Sequence, residues 1–151
     1  ESQANRKYLA YAKKADQEKR PGIARLFRAA AQAETVHAHA HLRAMGGIND
    51  TVANLQDAVS GESFEFTKMY PPYVEEAKVE GNAAAERSFA YAMTVEKTHF
   101  DLYSAALAAA KAGQDIAAKT FYVCPVCGHT VADAHPEKCP VCGSLKWDEV
   151  A

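Results

Sequence analysis

Ala33-Glu34-Thr35-Val36-His37-Ala38-His39-Ala40-His41 is the stretch on which the fold turns. The alanines and glutamate favour a helix, and a spacing of three puts Glu34 and His37 on one helical face, about 60° apart. One Glu-x-x-His alone is ordinary surface decoration. Here the pattern returns 62 residues later as Glu96-Lys97-Thr98-His99. At that offset Phe27 falls on Phe89, Ala30 on Ala92 and Ala44 on Ala106, while an offset of 61 puts Glu1-Ser2 on Glu62-Ser63. Two helical hairpins of one design are implied.

Punctuation around these helices sets the topology. Residues 1–112 are rich in Ala, Glu, Lys and Leu, with apolar positions three and four apart. Pro21-Gly22 is expected to end a first helix, and Gly46-Gly47 a second running from about 23 to 45. A connection of about ten residues passes through Asn49-Asp50-Thr51. The third helix then runs to about 80 with a kink at Pro71-Pro72, and Gly81-Asn82 turns into a fourth that ends at Gly113. Short, long, short is the connection pattern of a four-helix bundle with one crossover, the ferritin-like arrangement. The expected organisation is a helical bundle over 1–113, a linker over 114–121, and a small metal-held β/turn domain over 122–151.

The helices carry a metal-ligand inventory. Beside the two Glu-x-x-His pairs, helix one offers Glu1 and helix three offers Glu62 and Glu65. A Glu from each of two helices plus Glu-x-x-His from the other two is the donor set of di-iron carboxylate bundles. Carboxylates bridge two ions in either oxidation state, and neutral imidazoles cap them without adding charge. Five carboxylates facing one interior would each cost several kcal/mol unless neutralised. Tyr8 and Tyr70 can point inward to bond those carboxylates, though packing explains a Tyr in a bundle as well. His39 lies on the far side of its helix from His37 and is expected to face solvent.

All four cysteines lie at 124, 127, 139 and 142. They form two matched knuckles, Cys124-Pro125-Val126-Cys127-Gly128 and Cys139-Pro140-Val141-Cys142-Gly143. Clustered beside a cysteine-free helical region, they read as a metal site in a reducing compartment rather than a disulfide framework, so a cytoplasmic location is expected. Four thiolates suit zinc or a single iron. Alone, the module reads as a structural zinc ribbon. A neighbouring di-iron site favours iron, because a redox centre there supplies electrons. The net charge of -2, from 17 basic and 19 acidic residues, gives no basic face for nucleic acid. No apolar run approaches the roughly 20 residues that cross a membrane.

Taken together, these residues resemble the rubrerythrin family along the whole chain. The motifs are Glu1-Ser2-Gln3-Ala4, Glu34-Thr35-Val36-His37, Gly61-Glu62 with Glu65, Met69-Tyr70-Pro71, Glu96-x-x-His99 and two C-terminal rubredoxin-type knuckles. The resemblance implies a non-haem di-iron peroxidase that reduces hydrogen peroxide to water. Its electrons would come from an external rubredoxin or reductase through one iron in the four-cysteine site, where zinc is the alternative metal. Glu34 and Glu96 would bridge the irons, Glu1 would be a terminal ligand of one, and Glu62 with His99 terminal ligands of the other. The first iron would exchange Glu65 for His37 on reduction, with Tyr8 and Tyr70 behind the ligands. The same ligands also serve iron-oxidising or oxygen-reducing proteins, and a non-enzymatic metal-binding protein with structural zinc is a third reading.

Two spatial expectations follow. A ligand to a mid-bundle site belongs within a helix, so a segment is expected upstream of Glu1. His99 lies about 21 Å of helix before Gly113, and the linker reaches at most about 28 Å further. The cysteine module is therefore expected beyond the end of its own bundle, beside the partner in a head-to-tail homodimer, with helix exchange through 46–52 as a variant.

Overall fold

The computed structural model describes residues 1–150. The chain is mainly helical with a small C-terminal three-stranded sheet, as expected, and divides into two compact units, Glu1–Asn49 and the residues from Asp50 onwards.

The first unit is a hairpin of α1 (Ser2–Gln17) and α2 (Pro21–Ala44). Its seam is built on Ala12, Ala15, Ala24 and Ala31, all buried, so the two backbones approach closely. Asn5 Nδ2 crosses the seam to donate to the Ala31 carbonyl at 2.7 Å and to Thr35 Oγ1 at 2.8 Å. Pro21 does not end the first helix. It is the first residue of α2, where a missing N–H costs nothing. The reversal is made instead by Lys19, at φ +56°, and closed by the Arg20 N–H on the Ala15 carbonyl. α2 ends as expected at Gly46, φ +69°, with the Gly47 N–H on the Leu42 carbonyl. The connection that follows is shorter than expected, residues 45–50, because Asp50 caps α3 by accepting the Ala53 N–H at 2.9 Å.

In the second unit α3 (Thr51–Phe64), a π-helical turn over Glu65–Met69 and α4 (Tyr70–Val79) follow one another without a break. The irregularity expected at Pro71-Pro72 thus falls just before them. The π turn resets the hydrogen-bond register, and both prolines enter the first turn of α4, where their absent N–H groups are not needed. Asn82 then caps α5 (Ala83–Lys111), which packs against α3 and α4.

Beyond Gly113 the chain forms a three-stranded antiparallel sheet in the order β2-β1-β3, from β1 (Phe121–Val123), β2 (Thr130–Ala132) and β3 (Asp148–Val150). The module does not sit beyond the end of the helices. Residues 112–120 double back along α5, and β2 packs on that helix. His99 meets Thr130 at 3.0 Å, and a Cβ on Gly128 would lie 3.7 Å from Val95. The expected separation took the linker as extended outward. A chain of that length returns as readily as it advances, and the apolar flank of α5 around Val95 and Leu102 gives it a surface to return to.

Candidate metal centres

The structure gathers the expected ligands into three groups. Glu1, Glu34 and His37 lie together in the first unit, with one donor atom from each within 4.8 Å of the others. Glu62, Glu96 and His99 do the same in the second unit, and the four cysteines form the third group.

In the first group, α2 carries Glu34 and His37 one turn apart, and His37 Nδ1 is 3.0 Å from Glu34 Oε2. That bond, with a smaller contribution from Glu1, holds the Glu34 carboxyl below its usual range. Glu1 comes from the N-cap of α1. His37 is 54% exposed. His39 is exposed, as expected, and so is His41.

The second group has the same local geometry in a drier setting. His99 Nδ1 is 2.8 Å from Glu96 Oε2 and 3.8 Å from Glu62 Oε2, and His99 is 27% exposed. Burial, then the adjacent Glu96, raises the Glu62 carboxyl to about 7. Glu62 Oε2 is buried without a hydrogen-bond partner. An acceptor without a donor, between a second carboxylate and an imidazole nitrogen, is what a cation would satisfy.

Glu65 lies outside this compact trio, on the π turn. Burial raises its carboxyl, and Glu96 and His99 are the charges it senses. Tyr70 is also raised, first by burial and then by Glu96, Glu65 and Glu62, so the phenol stays protonated beside three carboxylates. In the first unit Tyr8 packs on Phe27, ring centroids 6.2 Å apart, and on Tyr11 at 6.4 Å.

Each cysteine knuckle closes in the same way. The Gly128 N–H donates to the Cys124 carbonyl and the Gly143 N–H to the Cys139 carbonyl, both at 2.8 Å. Both glycines hold a left-handed backbone, φ +84° and +76°, which residues with a side chain rarely adopt. The thiols are free. Cys124 Sγ lies 3.5 Å from Cys142 Sγ, and Cys127 Sγ 3.5 Å from Cys139 Sγ. A tetrahedron with metal–sulfur bonds of about 2.3 Å has edges near 3.8 Å, so the four sulfurs are nearly placed for an ion. Burial raises the Cys124 thiol, but amides of Cys127 and Val126 aimed at its sulfur outweigh that and bring it to about 7. Burial raises Cys127 and Cys142. One sulfur is poised as a thiolate, while Cys127 and Cys142 need a cation to become so.

Reasoning from the sequence missed the groups through which the cysteine module meets α5. These are Thr130 against His99, and His129, whose Nδ1 lies 3.5 Å from Thr98 Oγ1. Neither residue belongs to a motif. The π turn was also missed, although the change of repeat offset from 61 to 62 between Glu62 and the Glu-x-x-His pair is its trace.

Known proteins resemble this chain in both its helical part and its cysteine module. Residues 1–107 match the family described as Rubrerythrin, and residues 122–147 match the rubrerythrin rubredoxin-like domain. Rubrerythrin-2 of Clostridium acetobutylicum is 38% identical over 97% of this chain and 87% of its own length. Nigerythrin of Nitratidesulfovibrio vulgaris is 36% identical over 94% of this chain and 76% of its own. A structure described as the fully reduced, all-ferrous state of nigerythrin superimposes with a TM-score of 0.61 at 30% identity, covering 99% of this chain and 80% of that one. Among the described residues, no helix is long and apolar enough to cross a membrane.

Proposed function

Because this chain belongs to the rubrerythrin family, with its di-iron and rubredoxin-like four-cysteine sites, we propose that it is a peroxidase that reduces hydrogen peroxide to water in defence against oxidative stress. The observation that supports this most is one of arrangement. A carboxylate–histidine group with an unsatisfied buried oxygen shares α5 with a four-thiolate module packed on the same helix. A redox centre held against a ligand helix suits electron delivery better than storage does.

The reaction takes up two electrons and two protons, breaks the O–O bond and yields two water molecules. The two carboxylate–histidine groups would hold iron, which would supply the two electrons. In this reading Glu34 and Glu96 would hold both irons, Glu1 one of them, and Glu62 with His99 the other. Glu65 and His37 would be the further ligands of the first iron. Tyr70, kept as a phenol near Glu96, Glu65 and Glu62, would stand behind the ligands as a hydrogen-bond donor. Tyr8 has the corresponding place in the first hairpin. The four cysteines would hold a single iron, which would supply electrons drawn from an external rubredoxin or reductase. The protein acts in the cytoplasm.

Steady-state turnover of the reduced protein with peroxide and with oxygen tests the reading. Faster turnover with peroxide is expected. Much faster oxidation by oxygen would assign the bundle to oxygen reduction instead. Iron-replete protein that is colourless, with zinc in the cysteine site, would make it a non-enzymatic metal binder.

A further inference from the structure

Thr130 opens β2, directly after the first cysteine knuckle. Its hydroxyl has one proton, which it donates to the Gly128 carbonyl at 3.0 Å. The same oxygen lies 3.0 Å from His99 Nε2. With its proton committed, Oγ1 can only accept from His99, so Nε2 must carry hydrogen. Nδ1 faces the carboxylate side, 2.8 Å from Glu96 Oε2 and 3.8 Å from Glu62 Oε2, and a bound metal would replace the proton it shares with Glu96. The knuckle also faces α5 at Gly128, where an added Cβ would stand 3.7 Å from Val95, one turn before His99.

We propose that Thr130 is a positioning residue of the carboxylate–histidine metal site, fixing His99 as the Nε2–H tautomer with Nδ1 as its metal-binding nitrogen. The inference rests on the reading of His99 as a ligand and adds to it. Thr130 belongs to the cysteine module, so the module's folding on α5 sets the ligand geometry of a site in which it has no ligand. Hydrogen bonds behind a metal-bound histidine typically change metal affinity by roughly 10- to 100-fold. Filling the four-thiolate site therefore raises the affinity of the histidine site, and the reverse holds by linkage.

The test uses the full chain with nitrogen-labelled histidine and zinc as a diamagnetic probe at both sites. Long-range proton–nitrogen spectra report which ring nitrogen of His99 carries hydrogen, and chelator competition gives the affinity. In the wild type, His99 should show a protonated Nε2 and an Nδ1 shifted by zinc. Thr130→Val should weaken zinc at the carboxylate–histidine site roughly tenfold or more, while the four-thiolate site keeps its cobalt charge-transfer bands. Thr130→Ser should restore the affinity. Wild-type affinity in Thr130→Val, failure of Thr130→Ser to restore it, or an unprotonated Nε2 would each overturn the positioning role. If His99 in the wild type does not respond to zinc at all, the ligand assignment fails, and the inference with it.

Discussion

The backbone N–H of Tyr70 donates to the carbonyl of Glu65, five residues back instead of four. That one residue explains the repeat. Glu1 maps onto Glu62 at an offset of 61, whereas everything from Tyr8 to Ala44 maps at 62. The ring clusters confirm the second offset. Tyr8–Phe27 and Tyr70–Phe89 centroids are 6.2 and 6.3 Å apart, and Tyr11–Phe27 and Tyr73–Phe89 are 5.5 and 5.6 Å apart. The second hairpin has one extra residue between ligand and tyrosine, absorbed as a π turn. Glu65 falls on Ala4 or Gln3 at either offset, so its carboxylate has no counterpart in the first hairpin.

Deleting Glu65 should therefore close the π turn and return the prolines to an unbroken helix. Their rings would then clash with carbonyls four residues back, at a cost of about 3 kcal/mol or more. Adding Pro71→Leu and Pro72→Ala, the residues of the first hairpin at Leu9 and Ala10, should recover most of that loss. Denaturant unfolding followed by helical dichroism measures the cycle. Additive effects of the deletion and the proline replacements would show that the turn and the prolines are unrelated.

Glu34→Ala and Glu96→Ala should each abolish the dinuclear site and spare the four-cysteine iron. The two kinds of centre share no ligand. Iron analysis with visible spectroscopy decides, and a near-normal di-iron content in either variant would refute the proposed bridging pair.

How much of this is legible in the sequence depends on the range of the interaction. The two Glu-x-x-His pairs and the two knuckles are set by helical and turn periodicity, so spacing alone places Glu34 by His37, Glu96 by His99 and Cys124 by Cys127. Caps are equally local, as at Asp50, Asn82 and Gly46. Pro21 misleads because proline both ends and begins helices, and only the conformation of Lys19 shows which applies. Glu62 and Glu65 read as a regular three-residue spacing that hides the π turn. The return of residues 112–120 along α5 depends on a distant apolar flank and on a single hydroxyl, neither of which has a pattern.

The metal-free protein should lose stability as pH rises from about 5 to about 8. Burial raises Glu62 from its ordinary 4.5 to about 7 in the folded chain. Its contribution is therefore fully present below the unfolded value and is lost as pH passes through the folded one, because the folded state then holds a buried charge. Glu62→Gln should flatten this dependence. Bound metal should remove it by favouring the carboxylate, with release of a proton on binding below about pH 7. Denaturation midpoints of the metal-free protein across this range are the measurement. A midpoint that rises with pH would contradict the assignment.

The cysteine module should unfold when its metal is removed while the helices stay folded. Among its described residues only Cys124 and Cys139 have fully buried side chains, so the sulfurs occupy the place of an apolar core. Without an ion, burial keeps the Cys127 and Cys142 thiols protonated, and a three-stranded sheet of three-residue strands has little else to hold it. Trp147, the sole tryptophan, reports the event. Its ring stacks on His135 at 5.1 Å and lies 6.2 Å from His129, and its Nε1 is buried. Chelation, or Cys139→Ser, should expose that ring and shift its emission to the red, with helical dichroism almost unchanged because α1 to α5 contribute no ligand to the module. Unchanged Trp147 emission in the metal-free protein would show that the sheet folds without the ion.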